Sequence, residues 1–321
     1  MTQKLRLDGN SLVVEIASND GYLLKHFLAK GIPVLGIEPA ANVAKAAEAA
    51  GVKTEVAFFG FETATRLAKD GLQADLMAAN NVMAHVPDIN DFIAGVPILL
   101  GESGVFTIEF PHLLNLIEKV QFDTIYHEHY SYLSLLTVEK ILGAHGLAVF
   151  DVEELPTHGG SLRIYACHKE CMLYPPTGGL EAVREKEHVA GLASLDAYSD
   201  FTPRVEGVRA ALLDFLNNAK KRGKKVAAYG AAAKGNTLLN YCKIGTELID
   251  YVVDRNPEKQ NTLLPGSHIP VFCPDKIRAE KPDYVLILPW NLASEIAAEM
   301  ADVADWGGRF VIPIPKLKVL S

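Results

Sequence analysis

Cysteine is scarce: there are four in 321 residues, Cys167, Cys171, Cys242 and Cys273, with no CxxC pair among them. That excludes a disulfide framework and suits a reducing compartment, so a cytoplasmic protein is expected. Positive charge is also short, with 31 lysines and arginines against 39 aspartates and glutamates, a net charge of −8. So acidic a chain is not a general binder of nucleic acid or anionic membrane, although a local pocket for phosphates stays open. Apolar runs such as 92–100 fall far short of a bilayer's thickness, and no basic-then-apolar leader opens the chain. Cys167-His168-x-x-Cys171 has metal-like residues but no second ligand pair, so no metal is expected. What is present is the mix of an ordinary globular protein, 49% hydrophobic and 22% charged, long enough for one to three domains.

The order of apolar runs predicts an α/β protein. Residues 12–17 form a short run rich in β-branched side chains, and 20–30 follow with helical spacing at Leu23, Leu24, Phe27 and Leu28. Gly31 and Pro33 punctuate, 34–37 reads as the next strand, and the Ala-rich 41–50 suits a helix ending at Gly51. Further strands are expected at 54–58, 74–79, 104–110, 147–154 and 161–167. The rhythm predicts a parallel sheet covered by helices on both faces. A charged, Ala/Leu-rich stretch leads to a second series: strands at 225–229, 249–253, 283–288 and 309–312, helices at 234–242 and 291–304. The expected organisation is two Rossmann-like doubly wound lobes, 1–170 and 223–321, joined by a largely helical connector, 171–222.

The first strand runs into Glu15-Ile-Ala-Ser-Asn-Asp-Gly21, small residues where an α/β sheet meets a nucleotide-like ligand. The dinucleotide fingerprint GxGxxG is lacking, since Ala17 and Asn19 stand where glycines would. Glu38 closes the second strand about twenty residues after the loop, where an acid suits two ribose hydroxyls. With Asn80-Asn81-Val82 ending the fourth strand, the pattern favours S-adenosylmethionine over NAD. The densest polar run is Tyr126-His-Glu-His-Tyr-Ser-Tyr132. Histidines two apart suit metal poorly and general acid–base work better, because imidazole titrates near neutrality and a carboxylate can orient it. His85 falls on the ligand-binding rim, and His158-Gly159-Gly160 reads either as a hairpin turn or as a substrate-facing loop.

Several of these segments resemble the sugar C-methyltransferases, which act on nucleotide-linked keto-deoxysugars. They are Val14–Leu24, Gly36–Ala40, Asn80–Asp88, Phe122–Leu133, Thr157–Arg163, Tyr229–Thr237, Val253–Pro257 and Leu288–Asn291. The likeness covers nearly the whole chain. It implies a first lobe holding S-adenosylmethionine and a Rossmann-like second lobe that helps bind the nucleotide sugar, with thymidine diphosphate as the usual carrier. The family usually opens with a zinc-binding domain bearing paired CxxC motifs. This sequence has none, so zinc is not carried over. By motif, the cofactor residues would be Ala17, Asn19, Gly21, Glu38 and Asn80, with Phe58 and Phe59 near the adenine. The catalytic group would be His85, Tyr126, Glu128 and His129. His158, Lys234, Asn236, Arg255 and Trp290 would meet the substrate, Lys234 and Arg255 at its diphosphate and Trp290 stacked on a base or sugar.

A carbon accepts a methyl group only once it is nucleophilic, and a keto-sugar provides this through an enolate. His129 is the expected base, Glu128 its orienting partner, and Tyr126 and His85 the donors to the enolate oxygen. Two other functions are compatible with the sequence: an O- or N-methyltransferase on a related nucleotide sugar, and a non-catalytic nucleotide-sugar-binding protein.

Overall fold

The computed structural model describes residues 1–320. The chain packs as two compact units, one of Met1–Leu114 with Glu128–Ala193, the other of Asn115–His127 with the residues from Ser194 onward. The division falls inside the Tyr126–Tyr132 run. Among the described residues no helix is long and apolar enough to cross a membrane.

In the first unit, seven strands make one sheet: β1 (Val13–Ile16), β2 (Val34–Ile37), β3 (Thr54–Glu55), β4 (Ala74–Asn80), β5 (Leu100–Pro111), β6 (Leu147–Leu155) and β7 (Ser161–His168). Their order is β3-β2-β1-β4-β5-β7-β6. β1 is central, Val13 facing Val34 on one side and Leu76 on the other. Val14, Ile16, Ile37 and Met77 bury one face against Phe92, Ile93 and Val96 of the helix Ile89–Leu99. Val13, Val34 and Leu76 bury the other face with Leu24, Phe27 and Ile32. Cover on both faces is why these strands are continuous apolar runs without polar alternation.

The sheet is not wholly parallel, as the rhythm had suggested. β7 runs antiparallel to both β5 and β6. The short turn at Thr157–Gly159 sends the chain straight back, and so direct a return permits only an antiparallel pair. The helix expected over 20–30 shrinks to Lys25–Leu28. Polar side chains take the loop's own amides, Asn19 Oδ1 accepting from Asp20 N and Asp20 Oδ1 from Tyr22 N, and so compete with helix formation.

The second unit has six strands: β8 (Val226–Tyr229), β9 (Val252–Val253), β10 (Val271–Phe272), β11 (Tyr284–Ile287), β12 (Arg309–Ile312) and β13 (Lys318–Val319). They lie in the order β10-β9-β8-β11-β12-β13, parallel but for β13. The segment 171–222, expected as a connector, gives one helix to each unit. Gly178–Val189 buries Leu180 and Val183 in the first core. Phe201–Lys221 buries Val205, Val208, Leu212 and Leu216 in the second. Each stripe follows helical periodicity and finds its own apolar surface.

Both sheets reverse strand order beside their first strand, at β1/β4 and at β8/β11. Ligands of open α/β sheets bind at such points, beyond the carboxyl ends of the strands.

Candidate active site

At the β1/β4 reversal the chain leaves β1 through three left-handed residues, Ala17 (φ 56°), Asn19 (φ 54°) and Gly21 (φ 78°). The backbone at Gly21 suits glycine, and a Cβ there would lie 2.7 Å from Val52 Cγ2. Two non-glycine residues in this region carry strain, which the surroundings must hold. Glu38 does part of that: Oε2 accepts from Asn19 N at 3.1 Å and Oε1 from Ala40 N at 2.9 Å. A carboxylate has about four lone-pair sites, so each oxygen keeps capacity for a ribose hydroxyl. Beside the loop lies an apolar cleft of about 210 Å³, lined by Ile16, Ala17, Ile37, Phe58, Val82 and His85 among others. Phe58 and Phe59 take different parts. Phe58 is 82% exposed at the rim, where a flat ring can cover an adenine. Phe59 is buried edge-on against Phe92, 5.5 Å between centroids, and lines the floor of the cleft as well as the core. Asn80 ends β4 and is half-buried.

Three further groups here escaped the sequence reading as ligand contacts. Glu15 Oε2, Ser18 Oγ and Asn81 Oδ1 are buried with no hydrogen-bond partner among the described residues. Such groups cost free energy unless something meets them, and their place at the ends of β1 and β4 points to a polar ligand. Burial, with Asp20 nearby, pushes the Glu15 carboxyl from 4.5 up to about 8. Burial raises the Tyr22 phenol, with Glu15, Glu109 and Asp20 adding to it. This acid-rich loop, the acceptor Glu38 and the apolar cleft fit the cationic methionine end, ribose and adenine of S-adenosylmethionine.

Glu15 has a consequence for the ligand-free protein. The folded state holds a proton that the unfolded chain releases above its ordinary pKa, so stability falls as pH rises from about 4.5 to about 8. Glu15→Gln removes that titration. Its melting temperature relative to the parent should rise across this window, by the equivalent of about 1.4 kcal/mol per pH unit and roughly 4–5 kcal/mol at the upper end. Melting curves that keep a constant offset from pH 4 to pH 8 would show that Glu15 is not the titrating group.

The residues expected to be catalytic that fall in the first unit come together through the backbone. Tyr130 N and Ser131 N both donate to Ala84 O, at 2.8 and 3.2 Å, tying the run after Glu128 to the turn Met83–His85. His129 is thereby set with its ring centroid 4.8 Å from that of His85 and 6.0 Å from that of Tyr132. The sequence reading had Glu128 orient His129. Instead, the bond found for Glu128 in this cluster is to His85: its main-chain oxygen lies 2.9 Å from His85 Nδ1, and its side chain is exposed. A carbonyl only accepts, so Nδ1 carries the proton, and in neutral His85 the lone pair sits on Nε2. His85 therefore donates through Nε2 only as imidazolium and otherwise accepts there, a refinement of its expected role as donor. Tyr126 belongs to the other unit.

A buried clamp steadies the same region. Glu187 accepts from Leu135 N at 2.6 Å and Leu136 N at 2.8 Å and meets His112 Nε2 at 2.7 Å. These bonds hold the N-terminus of the helix Leu135–Ala144, a few residues after His129. His158 sits exposed in the β6–β7 turn with φ 54°, and its neighbour Thr157 donates to Glu109 Oε1 at 2.9 Å. The turn joins β6 and β7 as an antiparallel hairpin, with His158 exposed at its tip.

At the β8/β11 reversal of the second unit, Gly230 has φ 95°, and a Cβ there would lie 2.4 Å from Pro289 Cδ. This lets the loop after β8 lie against the loop after β11. Lys234 enters from the first turn of the helix Ala233–Cys242, donates to Asn291 Oδ1 at 2.5 Å and sits 4.7 Å from the Trp290 ring centroid. Burial pushes its ammonium pKa down, with Asp123 opposing. Tyr229 OH and Asn236 Oδ1 are buried without partners among the described residues. Two expectations change here. Arg255 is exposed and paired with Glu299 at 3.0 Å, while Lys259 reaches the loop after β8, donating to Ala231 O at 2.8 Å. One surface of the Trp290 ring faces Lys234, and its edge donates to Asp123 Oδ2 at 2.7 Å. Among the described residues no group of three or more potential ligands could hold a metal ion.

A doubly wound sheet with an acid-lined loop and an apolar cleft at its reversal defines a nucleotide-cofactor enzyme of the methyltransferase kind. Residues 3–152 match the family model of a methyltransferase domain, and 156–315 that of a C-methyltransferase C-terminal domain. The chain is 38% identical over 319 residues to C-methyltransferase NovU of Streptomyces niveus, covering 99% of this chain and 76% of that protein. The chain belongs to the C-methyltransferase family, enzymes that take their methyl group from S-adenosylmethionine. Among solved structures it is similar to the magnesium protoporphyrin IX methyltransferase of Synechocystis with bound S-adenosylmethionine, at 17% identity over 52% of this chain and 76% of that one, TM-score 0.39. It is also similar to the 1,6-didemethyltoxoflavin-N1-methyltransferase of Burkholderia thailandensis, at 18% identity over 53% and 75%, TM-score 0.40.

Proposed function

We propose that the enzyme methylates the carbon beside the carbonyl of a nucleotide-linked keto-deoxysugar, through an enolate. The observation that carries this reading is the imidazole pair: the His129 ring centroid lies 4.8 Å from that of His85, which lines the cleft assigned to the cofactor. His129 takes the proton from the carbon acid, and the bonding electrons pass to the carbonyl oxygen. His85 as imidazolium donates to that oxygen through Nε2. The exposed Glu128 carboxylate is free to swing onto the protonated His129 and stabilise it. When bound, S-adenosylmethionine supplies the electrophilic methyl that the enolate carbon accepts in line, its sulfur leaving as a neutral thioether. Glu38 is the ribose acceptor, and Ala17, Asn19, Gly21, Asn80 and Phe58 surround the rest of the cofactor.

Lys234, Asn236 and Lys259 are the residues of the second unit best disposed toward a diphosphate, and His158 toward the sugar. Thymidine diphosphate is the proposed carrier. The free cysteines agree with a cytoplasmic setting. Candidate keto-sugar nucleotides incubated with a ¹³C-methyl donor test the proposal. Expected is a product with a new C–CH₃ bond, visible by mass and by carbon–carbon coupling. Label on oxygen or nitrogen, or tight binding without turnover, contradicts it.

A further inference from the structure

We propose that Asp123 is a positioning residue for Lys234, acting through the indole of Trp290. The inference rests on the reading of Lys234 as a diphosphate ligand and adds the group that sets its place. Asp123 lies in the turn Phe122–Thr124, and Phe122 packs on Tyr241 of the helix that carries Lys234, 5.0 Å between ring centroids. Asp123 is fully buried. Its Oδ2 accepts from Trp290 Nε1 at 2.7 Å, while Oδ1 is buried without a partner among the described residues. Half of this carboxylate's hydrogen-bonding capacity is thus unmet inside the unit, and burial raises its pKa to about 6.

An arrangement so costly persists where it holds something in place. What it holds is the indole. With its edge fixed by Asp123, the Trp290 ring seats the Lys234 ammonium at 4.7 Å, and the next residue, Asn291, takes one of that ammonium's protons. Lys234 and Asp123 also attract each other electrostatically. The ammonium of a lysine is a point charge on a flexible stem, so its direction must come from such neighbours. Removing the acceptor should free the indole, and the lysine with it. In sequence Asp123 and Trp290 are 167 residues apart, which hid the pairing from any local pattern.

The test uses the whole ¹⁵N-labelled chain. There are two tryptophans, and Trp306 donates its own Nε1–H to Pro282 O, so a Trp306→Phe background assigns the indole resonance of Trp290. Asp123→Asn keeps the shape but weakens the acceptor. The indole proton of Trp290 should move upfield, and the affinity for thymidine diphosphate should fall roughly tenfold, as for loss of a hydrogen bond to a charged group. S-adenosylmethionine affinity should hold. Trp290→Phe, which keeps a ring but no donor, should lower diphosphate affinity similarly, and the double variant should be no worse than either alone. An unmoved indole resonance, or losses that add in the double variant, overturns the positioning role. Lys234→Ala serves as the reference: if it leaves diphosphate affinity intact, the ligand reading of Lys234 fails and the inference with it. If Lys234→Ala weakens binding while Asp123→Asn does not, the inference alone is overturned.

Discussion

His129→Asn should slow methyl transfer by roughly 10²–10⁴-fold, the usual worth of a positioned general base. Asparagine fills similar space and keeps hydrogen bonding, but it cannot take a proton at neutral pH. Substrate and cofactor affinities should largely survive, because the main-chain bonds of the neighbouring Tyr130 and Ser131 to Ala84 do not depend on the residue-129 side chain. The size of the loss also reports on His85. With Nδ1 committed to the Glu128 carbonyl, neutral His85 presents a basic Nε2 beside the same cleft. In His129→Asn a neutral His85 can take the proton in its place only by giving up its role as donor, so the loss stays finite but large. Steady-state rates under saturating substrates check this, and a His129→Asn enzyme as fast as the parent would remove His129 from the role.

Glu38→Ala should weaken S-adenosylmethionine binding by about 1–3 kcal/mol, the range for a hydrogen bond to a charged acceptor. The structure gives this residue a second task, since its carboxylate also takes Asn19 N and Ala40 N. Removing it loosens the loop in which Ala17 and Asn19 are held left-handed. Glu38→Gln separates the two tasks. Its amide oxygen can keep one backbone bond while its NH₂ opposes the other donor, so its loss should fall between those of the parent and Glu38→Ala. Calorimetry on folded protein measures both, and an unchanged dissociation constant for Glu38→Ala would remove Glu38 from the ribose site.

The first core was legible where strands were long enough to carry a pattern. β1, β2 and β4 are apolar runs between glycine, proline and polar loops, and the structure has them close to where they were expected. Two-residue strands such as β3, β9, β10 and β13 were less so, because two residues define no periodicity. The strand expected over 249–253 survives as Val252–Val253, since Ile249 and Tyr251 are buried outside the ladder. The site was legible at the level of motifs, because the loop after β1, Glu38 and the His129 run are each contiguous in sequence. It was not legible where partners are distant. Glu187 meets His112 across 75 residues, and Asp123 meets Trp290 across 167. Nor did residue type reveal that Arg255 turns to Glu299 while Lys259 faces the loop after β8. That choice depends on where β9 ends and how the next turn runs.

The central claim is that methyl transfer begins with removal of a carbon-bound proton by His129. Hydrogen exchange in deuterated water tests it most directly. The nucleotide-linked keto-sugar is incubated with enzyme and S-adenosylhomocysteine, which fills the cofactor site but has no methyl group to give. NMR then follows the hydrogen beside the carbonyl. The account predicts that the parent enzyme exchanges this hydrogen well above the uncatalysed rate and that His129→Asn does so at least a hundredfold more slowly, in line with the general-base range. Equal exchange by parent and variant, with methyl transfer also undiminished, would contradict it.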